Sequence, residues 1–549
     1  MTSSRTGGRI LVDALAAQGC DRLFTVPGES FLPVLDALVE VPAIDVVVCR
    51  QEGGAAFMAE ADGKMTHRPG IAFVTRGPGA TNASIGVHVA MQDSTPMILF
   101  VGDVARDARD REGFQEVDFP AFFAPLAKWA ARIESADRIP EYVARAYATA
   151  LNGRPGPVVL ALPEDMLEDR AETPDRPRVE RVAQACPPSA VADALAALRQ
   201  ARAPVAIVGG ADWDEKAGRD FANFARRAGL PVAAAFRRQD ALSADCPVYA
   251  GNLGYGPNPK LVERVRAADL LLVVGARLGE ATTDGYTILT PDHPGQTLIH
   301  VHPDPEELGR VYRADVAICA DTRAFAGAMA DASDHSIHFE TGRQAHAEWR
   351  DWSTPAPNGM ALDLNACWAT LRETLPPDAI VCNGAGNFSA WAHRFWHYGS
   401  QPSQLAPTAG AMGYGVPAAI AAALRFPDRR VVAVAGVGDF LMNGQELATA
   451  AKTGARVLIL LIDNGSYGTI RMHQERRYPT RVSATDLSNP DFAALARAYG
   501  GWAETVETTA QFAPALEAAL RQPGIALLHL KTDIERIAPA LTIAGLRGE

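Results

Sequence analysis

Acidic and amide side chains that follow glycine turns are the groups in this sequence best suited to bind a phosphate-bearing ligand and a cation. An apolar run, Val431 to Ala435, ends at Gly436-Val437-Gly438, and Asp439 follows directly. A second apolar run, Val457 to Ile462, ends at Asp463-Asn464-Gly465. The carboxyl ends of neighbouring parallel strands are where ligands bind, and glycine turns that open a helix suit phosphates. The two turns predict an anion-binding edge, although an ordinary crossover with glycines for tight packing also explains the first turn taken alone.

A helix is predicted after the first turn. Asn443 is a suitable N-cap, and Glu446 three residues later completes a pattern typical of a capping box before Leu447. We therefore expect the Glu446 side chain to bond to its own helix start.

The segment from Arg430 to Arg471 resembles the cofactor-binding signature of thiamine diphosphate (ThDP) enzymes. In that family a GDG turn and a downstream Asn pair hold a divalent metal on the diphosphate, and the run DFLMNGQELATA from Asp439 is similar to the acetolactate synthase branch. The resemblance implies a metal bound by Asn464 and the backbone carbonyl of Ser466. It also implies cofactor contacts from Gly436, Gly438, Asp439, Asn464, Ser466 and Tyr467.

Val437 departs from this pattern. The family has an Asp at this position, whose carboxylate binds Mg²⁺, a hard cation that prefers oxygen ligands. Valine supplies no such ligand. Asp439 and Asp463 are substitutes of the right chemistry, although neither occupies the missing position, so we expect a weakened or altered Mg²⁺ site.

Glu52 is the candidate for activating the cofactor. It stands in RQEGGAA from Arg50, and TRGPGATN from Thr75 contains Pro78 and Asn82. Taken alone, an acid before an alanine-rich helix is usually a solvated cap. Both segments resemble acetolactate synthases, which implies that Glu52 hydrogen-bonds the aminopyrimidine ring and stabilises its imino form, with Pro78 and Asn82 beside the cofactor.

Four further residues are candidates for catalysis. Glu29 matches a position that carries an acid or hydroxyl in related decarboxylases, so it is either a proton donor or a surface acid near a helix start. Asp103 replaces a usual Gln and would repel a keto acid's carboxylate unless protonated or paired. Gln115 and Lys128 match family residues that help to close the pocket.

The last third of the chain supplies the remaining cofactor contacts that the resemblance implies. Asn387 and Phe388 would contact the diphosphate, the Gly410 carbonyl would receive the exocyclic amine, and Met412 would wedge between the two rings. In the family, the cofactor lies between the first domain of one subunit and the third domain of another. The resemblance therefore implies a homodimer or homotetramer.

Short apolar strands that alternate with helices predict an α/β protein with parallel sheets covered on both faces. With 549 residues, the chain exceeds a single core. We predict three doubly wound parallel-sheet domains of the ThDP-enzyme fold. They are a pyrimidine-binding domain at 1–175, a central nucleotide-fold-like domain at 187–335 and a diphosphate-binding domain at 355–549.

The central domain carries two weaker signals. Gly209-Gly210 and Gly275 end predicted strands, which is compatible with FAD, but no GxGxxG opens a helix there and FAD is not favoured. His300, His302 and Asp304 alternate at a strand end, where a satisfied polar cluster explains them better than a metal site.

Composition restricts the class of partner. The net charge of −12 and the lack of a basic patch interleaved with aromatics argue against nucleic acid. The seven cysteines form no CxxC pair and are expected to be reduced. No apolar stretch reaches the length of a membrane span, and no signal segment precedes Gly8, so we expect a cytoplasmic protein.

The resemblance implies ThDP-dependent decarboxylation of a 2-keto acid with carboligation to a second carbonyl, as in acetolactate synthases. Two alternatives stay open. Glu29 favours a simple 2-keto acid decarboxylase or carbon–carbon lyase, and Val437 favours a non-catalytic or metal-impaired ThDP-fold protein. The sequence does not identify the donor, the acceptor or a regulatory subunit.

Overall fold

A computed structural model describes residues 4–210, 212–291, 294–332, 336–399 and 401–548. The chain divides into two compact units. The first contains Met1–Val182, Pro407–Pro427 and Leu441–Arg456, and the second contains Ala183–Ala406, Asp428–Phe440 and Val457–Glu549.

The first unit contains a six-stranded parallel sheet with the order β3-β2-β4-β5-β7-β6, and a short antiparallel pair joins β1 to β8. The strands β4, β5 and β7 are fully buried, which explains their apolar sequences. Its elements are β1 (Arg5–Thr6), α1 (Gly7–Ala17), β2 (Arg22–Thr25), α2 (Leu32–Val39), β3 (Asp45–Val48), α3 (Glu52–Thr66), β4 (Gly70–Val74), α4 (Gly77–Asp93), β5 (Met97–Asp103), α5 (Phe119–Phe123), β6 (Trp129–Arg132), α6 (Ile139–Leu151), β7 (Pro157–Pro163), α7 (Glu164–Glu168) and β8 (Arg170–Ala171).

The second unit contains two further six-stranded parallel sheets. The central sheet has the order β11-β10-β9-β12-β13-β14. Its elements are α8 (Pro188–Gln200), β9 (Val205–Val208), α9 (Glu215–Ala228), β10 (Val232–Ala234), β11 (Tyr249–Asn252), α10 (Pro259–Ala267), β12 (Leu270–Val274), β13 (Thr297–His302), β14 (Val316–Cys319), α11 (Thr322–Asp331) and α12 (Thr341–Trp352).

The last sheet has the order β16-β15-β17-β18-β20-β19. The last third of the chain forms α13 (Leu364–Thr374), β15 (Ile380–Asn383), α14 (Ser389–Phe395), β16 (Gln404–Leu405), α15 (Gly415–Arg425), β17 (Val431–Gly436), α16 (Val437–Asn443), α17 (Leu447–Thr453), β18 (Val457–Asp463), α18 (Gly468–Arg477), α19 (Phe492–Ala498), β19 (Trp502–Val506), α20 (Thr509–Leu520), β20 (Ala526–Lys531) and α21 (Ile543–Arg547).

The predicted α/β architecture is confirmed, with three parallel sheets flanked by helices. β17 and β18 pair in parallel from Val431 opposite Val457 to Gly436 opposite Ile462. The two predicted turns therefore follow adjacent strand ends. The predicted domain boundaries stay a prediction, and those at 1, 335 and 549 lie outside the described residues.

The predicted capping box is wrong. α16 begins at Val437 directly after β17, and a 3₁₀ turn at Gly444–Glu446 separates it from α17. Asn443 caps nothing with its side chain and instead donates from Nδ2 to the Gly413 carbonyl at 3.0 Å. The Glu446 carboxylate instead accepts the backbone N–H groups of Arg50 and Gln51, which also belong to the first unit.

Within the described part of the chain, no helix combines the length and the apolar character that crossing a bilayer requires.

Candidate active site

Glu52 is the first residue of α3, where the helix dipole favours a negative charge. Its side chain is partly exposed, and Asn82 donates from Nδ2 to Glu52 Oε2 at 2.9 Å. Pro78 is exposed in the first turn of α4, the same helix that carries Asn82. The structure thus brings Glu52 and Asn82 together, with one carboxylate oxygen engaged by an amide.

The loop with Gly410 and Met412 also belongs to the first unit. Gly410 is exposed with a φ of 69°, a conformation that favours glycine, and Met412 is partly buried. Its two ends are held in place: Thr408 donates its backbone N–H to Asp93 Oδ1 at 2.7 Å. Tyr414 donates its hydroxyl to Glu60 Oε2 at 2.6 Å.

Glu60 and Asp93 form a buried polar cluster with Lys64. Lys64 Nζ lies 3.1 Å from Glu60 Oε1 and forms a second ion pair with Asp93. Because α3 carries Glu60 and α4 carries Asp93, both helices of the Glu52–Asn82 pair also anchor the Gly410 loop. The candidates for binding the pyrimidine ring, which we call the pyrimidine side, are Glu52, Asn82, Gly410 and Met412. All of them therefore lie on α3 and α4 or on a loop bound to these two helices.

Glu29 lies in a 3₁₀ turn after β2 and is 69% exposed. Its carboxylate lies 3.9 Å from Nη1 of Arg76, a buried residue that the sequence analysis did not single out. Arg76 also pairs with Glu164 and donates to the Phe114 carbonyl at 3.4 Å, whereas its Nε has no hydrogen-bond partner among the described residues. The Glu29 carboxylate therefore has a cationic neighbour on one side and is exposed to solvent on the other.

Asp103 has a structural partner. Its Oδ2 accepts from Arg132 Nε at 2.5 Å, and its Oδ1 accepts the Val104 N–H at 2.8 Å. Burial raises the pKa of the Asp103 carboxyl, while the Arg132 guanidinium acts in the opposite direction. The carboxylate is paired and 1% exposed, so the repulsion of a substrate carboxylate that an unpaired Asp103 would cause does not arise. Its catalytic assignment stays a prediction that these contacts do not support.

Gln115 and Lys128 lie in different settings. Gln115 has a φ of 65°, and its carbonyl accepts the Gly77 N–H at 2.9 Å, which places the segment at the start of α4. Lys128 donates from Nζ to the carbonyls of Asn152 and Arg154, each at 2.7 Å. Lys128 thus stabilises the turn between α6 and β7, and its predicted role in the pocket rests on the resemblance alone.

At the diphosphate side, in the second unit, aromatic rings explain the glycines of the first turn. A Cβ at Gly436 would lie 2.7 Å from the ring of Phe388, and one at Gly438 would lie 2.4 Å from the ring of Tyr467. Phe388 is buried, and Tyr467 is 37% exposed. The predicted cofactor residues at and after the carboxyl ends of β15, β17 and β18 therefore lie close together at one sheet edge.

Asn387 uses its polar groups within the protein. Its backbone N–H donates to Thr469 Oγ1 at 2.9 Å, and its Nδ2 donates to the Ile537 carbonyl at 3.2 Å. Thr469 donates its hydroxyl to Asn387 Oδ1 at 3.1 Å. These bonds fix Asn387 beside the start of α18, and its contact with a diphosphate stays a prediction.

Asp439 lies over the turn that follows β15. Its Oδ1 accepts the Ala385 N–H at 3.1 Å, and a Cβ at Gly384 would lie 1.9 Å from the same oxygen. The residue is 3% exposed. A buried carboxylate thus binds one of the amides at a glycine turn that would suit an anion.

Asp463 is also engaged by protein groups. Its carboxylate accepts from Gly465 N at 2.9 Å, from Asn489 Nδ2 at 2.8 Å and from His529 Nε2 at 2.9 Å. Burial opposes its ionisation, but these donors outweigh it and lower the pKa of Asp463. Asp463 is therefore a poor substitute for the missing metal ligand.

Val437 is 1% exposed. Because valine has no side-chain oxygen, the position that carries the metal-binding carboxylate in the family supplies no ligand here. Asn464 Oδ1 accepts the Ser466 N–H at 3.1 Å, and the Ser466 carbonyl accepts the Gly468 N–H at 2.8 Å. Among the described residues, no group of three or more His, Cys, Asp or Glu side chains is placed to hold a metal ion. Glu52 at the start of α3 has the acceptor chemistry that the aminopyrimidine ring of ThDP needs, whereas the metal side lacks the carboxylate ligand that the family has at position 437.

The glycines of the central domain that are compatible with FAD have a packing role in the structure. A Cβ at Gly210 would lie 1.9 Å from the Gly275 carbonyl oxygen, so these glycines allow the ends of β9 and β12 to pack together. His300 Nε2 lies 2.8 Å from the Ala276 carbonyl, and His302 Nδ1 accepts the Asp304 N–H at 3.0 Å. Burial lowers the pKa of His302 to about 4. Both rings thus bond to nearby backbone groups, while His300 Nδ1 has no hydrogen-bond partner among the described residues.

Comparison with known proteins assigns the family. Three family models match the chain: "Thiamine pyrophosphate enzyme, N-terminal TPP binding domain" over residues 5–122, the central domain over 191–329, and the C-terminal TPP binding domain over 384–530. Thiamine pyrophosphate is another name for ThDP. The chain belongs to the thiamine pyrophosphate enzyme family and is a ThDP-dependent enzyme.

Within this family the chain is similar to acetolactate synthases. It is 31% identical over 541 residues to the acetolactate synthase isozyme 2 large subunit of Escherichia coli (strain K12), covering 97% of each chain. It is 32% identical over 515 residues to the acetolactate synthase large subunit of Parasynechococcus marenigrum (strain WH8102), covering 90% of this chain and 82% of the relative. The corresponding protein of Corynebacterium glutamicum is 30% identical over 534 residues.

Proposed function

We propose that this enzyme decarboxylates a 2-keto acid and joins the former keto carbon to the carbonyl carbon of a second compound, as the names of its relatives suggest. The observation that carries the proposal is the Glu52 carboxylate at the start of α3, held by Asn82. ThDP, when bound, supplies a carbanion that adds to the keto carbon. The role of Glu52 is to hydrogen-bond the aminopyrimidine ring and stabilise the tautomer that removes the C2 proton.

Mutation of Glu52 tests this role. Glu52→Gln should bind ThDP but lose hydrogen–deuterium exchange at C2, because an amide cannot stabilise the imino tautomer as a carboxylate does. Exchange is measured by NMR after acid quench, with Glu504→Gln, a change of an exposed acid, as the control. C2 exchange at the wild-type rate in Glu52→Gln would remove Glu52 from the mechanism.

Product analysis tests the reaction type. With pyruvate alone, and then with pyruvate and an aldehyde, a carboligase forms acetolactate or a mixed hydroxyketone, whereas a decarboxylase releases acetaldehyde. Formation of carbon dioxide with a ligated product supports the proposal. Acetaldehyde as the sole product in both incubations contradicts it.

A simple decarboxylase or lyase is the second candidate, favoured by Glu29. The support for this candidate is that Glu29 matches an acid position of related decarboxylases and that its exposed carboxylate lies 3.9 Å from the buried Arg76 guanidinium. Glu29→Gln should then leave C2 exchange unchanged and slow the release of aldehyde. An unchanged rate of aldehyde release in Glu29→Gln would leave Glu29 as a surface acid.

We further propose that the cofactors are ThDP and weakly held Mg²⁺, with FAD compatible but not favoured. The engaged carboxylates of Asp439 and Asp463 support the weak metal site. We further propose a cytoplasmic homodimer or homotetramer, in which the pyrimidine-side residues of one subunit meet the diphosphate-side residues of another. The family resemblance supports the assembly, and the scattered cysteines support the compartment.

A further inference from the structure

Glu446 is a buried acid with no place in the chemistry described so far. It ends the 3₁₀ turn before α17 and is 0% exposed. Its Oε1 accepts the backbone N–H groups of Arg50 at 3.0 Å and Gln51 at 2.9 Å. All three residues belong to the first unit. A carboxylate far along the chain therefore binds the two residues that directly precede Glu52.

The second oxygen is also engaged. Thr449 donates its hydroxyl to Glu446 Oε2 at 2.5 Å, and the Arg50 N–H lies 3.3 Å from the same atom. Burial raises the pKa of Glu446, and the hydrogen bonds from Thr449, Arg50 and Gln51 act against this rise. Because both oxygens have donors, the side chain is held in a single orientation.

The partner segment is shaped to receive this carboxylate. A Cβ at Gly54 would lie 2.7 Å from Glu446 Oε1 and 2.9 Å from its Cγ, so only glycine allows the approach. Gln51 accepts the Gly54 N–H on its own side chain at 2.9 Å and caps α3. Gly54 thus has a physical reason, which the sequence alone shows only as a tendency toward small residues.

These hydrogen bonds fix the backbone directly before Glu52, the first residue of α3. β3 ends at Val48 and α3 begins at Glu52, so the backbone N–H groups between them need partners outside the strand and helix. Glu446 supplies two of these partners. A displacement of about 1 Å in a reacting group can lower a rate about 100-fold, so an anchor at this point controls how well Glu52 reaches its target.

We propose that Glu446 is a positioning residue for Glu52: it acts as a hydrogen-bond acceptor for the Arg50 and Gln51 amides and thereby sets the place of the activating carboxylate. The inference rests on the proposed function. Because the acceptor oxygen and not the charge is required, a glutamine should replace this residue, with its own Oε1 on the two amides and its amide group facing Thr449.

The test compares Glu446→Ala with Glu446→Gln at two readouts. In protein without cofactor, mass spectrometry measures hydrogen exchange of the amides of Arg50 and Gln51. Glu446→Ala should lose at least about 10-fold of their protection, and Glu446→Gln should stay within about 3-fold of wild type. With saturating ThDP, C2 exchange should fall about 10- to 100-fold in Glu446→Ala and be largely rescued in Glu446→Gln.

Two controls separate positioning from general stability. Thr449→Val removes the bond to Oε2 but leaves Oε1 on both amides, so its C2 exchange should remain near the wild-type rate. If Glu446→Ala does not fold, Glu446→Asp replaces it, since the shorter side chain withdraws the carboxylate from Arg50 and Gln51. ThDP affinity should change little in any variant, because Glu446 acts through Glu52.

The outcomes are distinct. Wild-type protein that binds ThDP without C2 exchange overturns the proposed function itself. Normal C2 exchange in wild type together with an unchanged rate in Glu446→Ala overturns only the positioning role. The same follows if Glu446→Gln loses as much C2 exchange as Glu446→Ala, since the acceptor oxygen would then not be the group that matters.

Discussion

Val437 combines a favourable packing position with the loss of a ligand. Its side chain is 1% exposed at the junction of β17 and α16, where burial of an aliphatic side chain stabilises the fold by roughly 1.5–3 kcal/mol. The two neighbouring acids do not compensate, because Asp439 binds the Ala385 amide and Asp463 binds three donors. The metal side of the site is therefore stable as protein structure but poor in ligands.

Restoring a carboxylate at this position should strengthen metal binding. Val437→Asp should tighten Mg²⁺-dependent ThDP binding by about 1–3 kcal/mol, the range for a charged hydrogen-bonding group. Titration calorimetry with Mg²⁺ and with chelator measures the effect, and the gain should vanish in chelator. Val437→Asn, which has the same shape without the charge, is the matched control. Tight wild-type binding that depends on Mg²⁺, with no gain in Val437→Asp, would show that another ligand holds the metal.

At the scale of elements, α3 is the support of the pyrimidine side. Tyr414 binds Glu60 on this helix, and Arg425 of α15 forms an ion pair with Asp62, with Nε 2.9 Å from Oδ1. Glu446 binds the residues before its first turn. The helix that presents Glu52 is thus fixed at its start and along its length by segments from the last third of the chain.

In the second unit, α18 follows the Asn464 turn and is held by α21 through Glu475. Glu475 is 0% exposed, and its carboxylate accepts from Arg547 Nε at 2.9 Å and from Arg471 Nε at 2.9 Å. It also accepts the Thr480 N–H at 2.9 Å. The bond from Arg547 contributes most to a pKa lowered to about 2. One carboxylate thus joins the chain's last helix to the helix beside the candidate diphosphate side.

Loss of this carboxylate should weaken the contact in a pH-dependent way. Glu475→Gln should destabilise the second unit by roughly 1–3 kcal/mol near pH 7. Because folding lowers the pKa of Glu475, its contribution is fully present above the unfolded pKa of about 4.5 and is lost as pH falls toward 2. Thermal unfolding of wild type and variant between pH 3 and pH 8 measures the difference.

The control for Glu475 is a surface pair. Glu517 lies 2.7 Å from Arg521 on α20, with both side chains exposed, so Glu517→Gln should change stability by less than about 1 kcal/mol. A Glu475→Gln variant as stable as Glu517→Gln at pH 7 would contradict the role of Glu475. So would a stability difference that grows at low pH.

At the scale of the whole molecule, each unit carries one set of site residues and exposes apolar side chains near it. In the first unit Ile85 is 40% exposed, and its Cγ2 would lie 3.3 Å from a Cβ at Gly53, next to Glu52. In the second unit Tyr467 is 37% and Ile470 is 54% exposed at the start of α18. A homodimer in which the two sets of candidate site residues meet, as the family resemblance implies, would cover these side chains.

We expect an active species of at least two subunits. Ile85→Lys should weaken self-association and lower activity in parallel, because a charge in a covered surface is costly to bury. Val39→Lys, a change of an 80% exposed residue on α2, should affect neither. Sedimentation velocity and activity over a dilution series measure both. A fully active monomer would contradict this expectation.

The sequence by itself determined the local elements and their order. The predicted run Val457 to Ile462 is a strand in the structure and extends by one residue, because a strand that is buried on both faces has a continuous apolar sequence. The turns after β17 and β18 were predicted at one edge of the sheet, because parallel strands end on the same side. The resemblance then supplied the family, and it predicts that Glu52, Pro78 and Asn82 contact the cofactor.

Only the tertiary structure decided which partner each polar side chain takes. The resemblance places Asp103 and Lys128 near the substrate, and only the structure shows that Asp103 pairs with Arg132 and that Lys128 donates to the carbonyls of Asn152 and Arg154. Glu446 reads as a helix cap but binds Arg50 and Gln51. Apolar periodicity is a local property of the chain, whereas a buried carboxylate takes whichever donors the fold brings within about 3 Å, and those lie anywhere in the sequence.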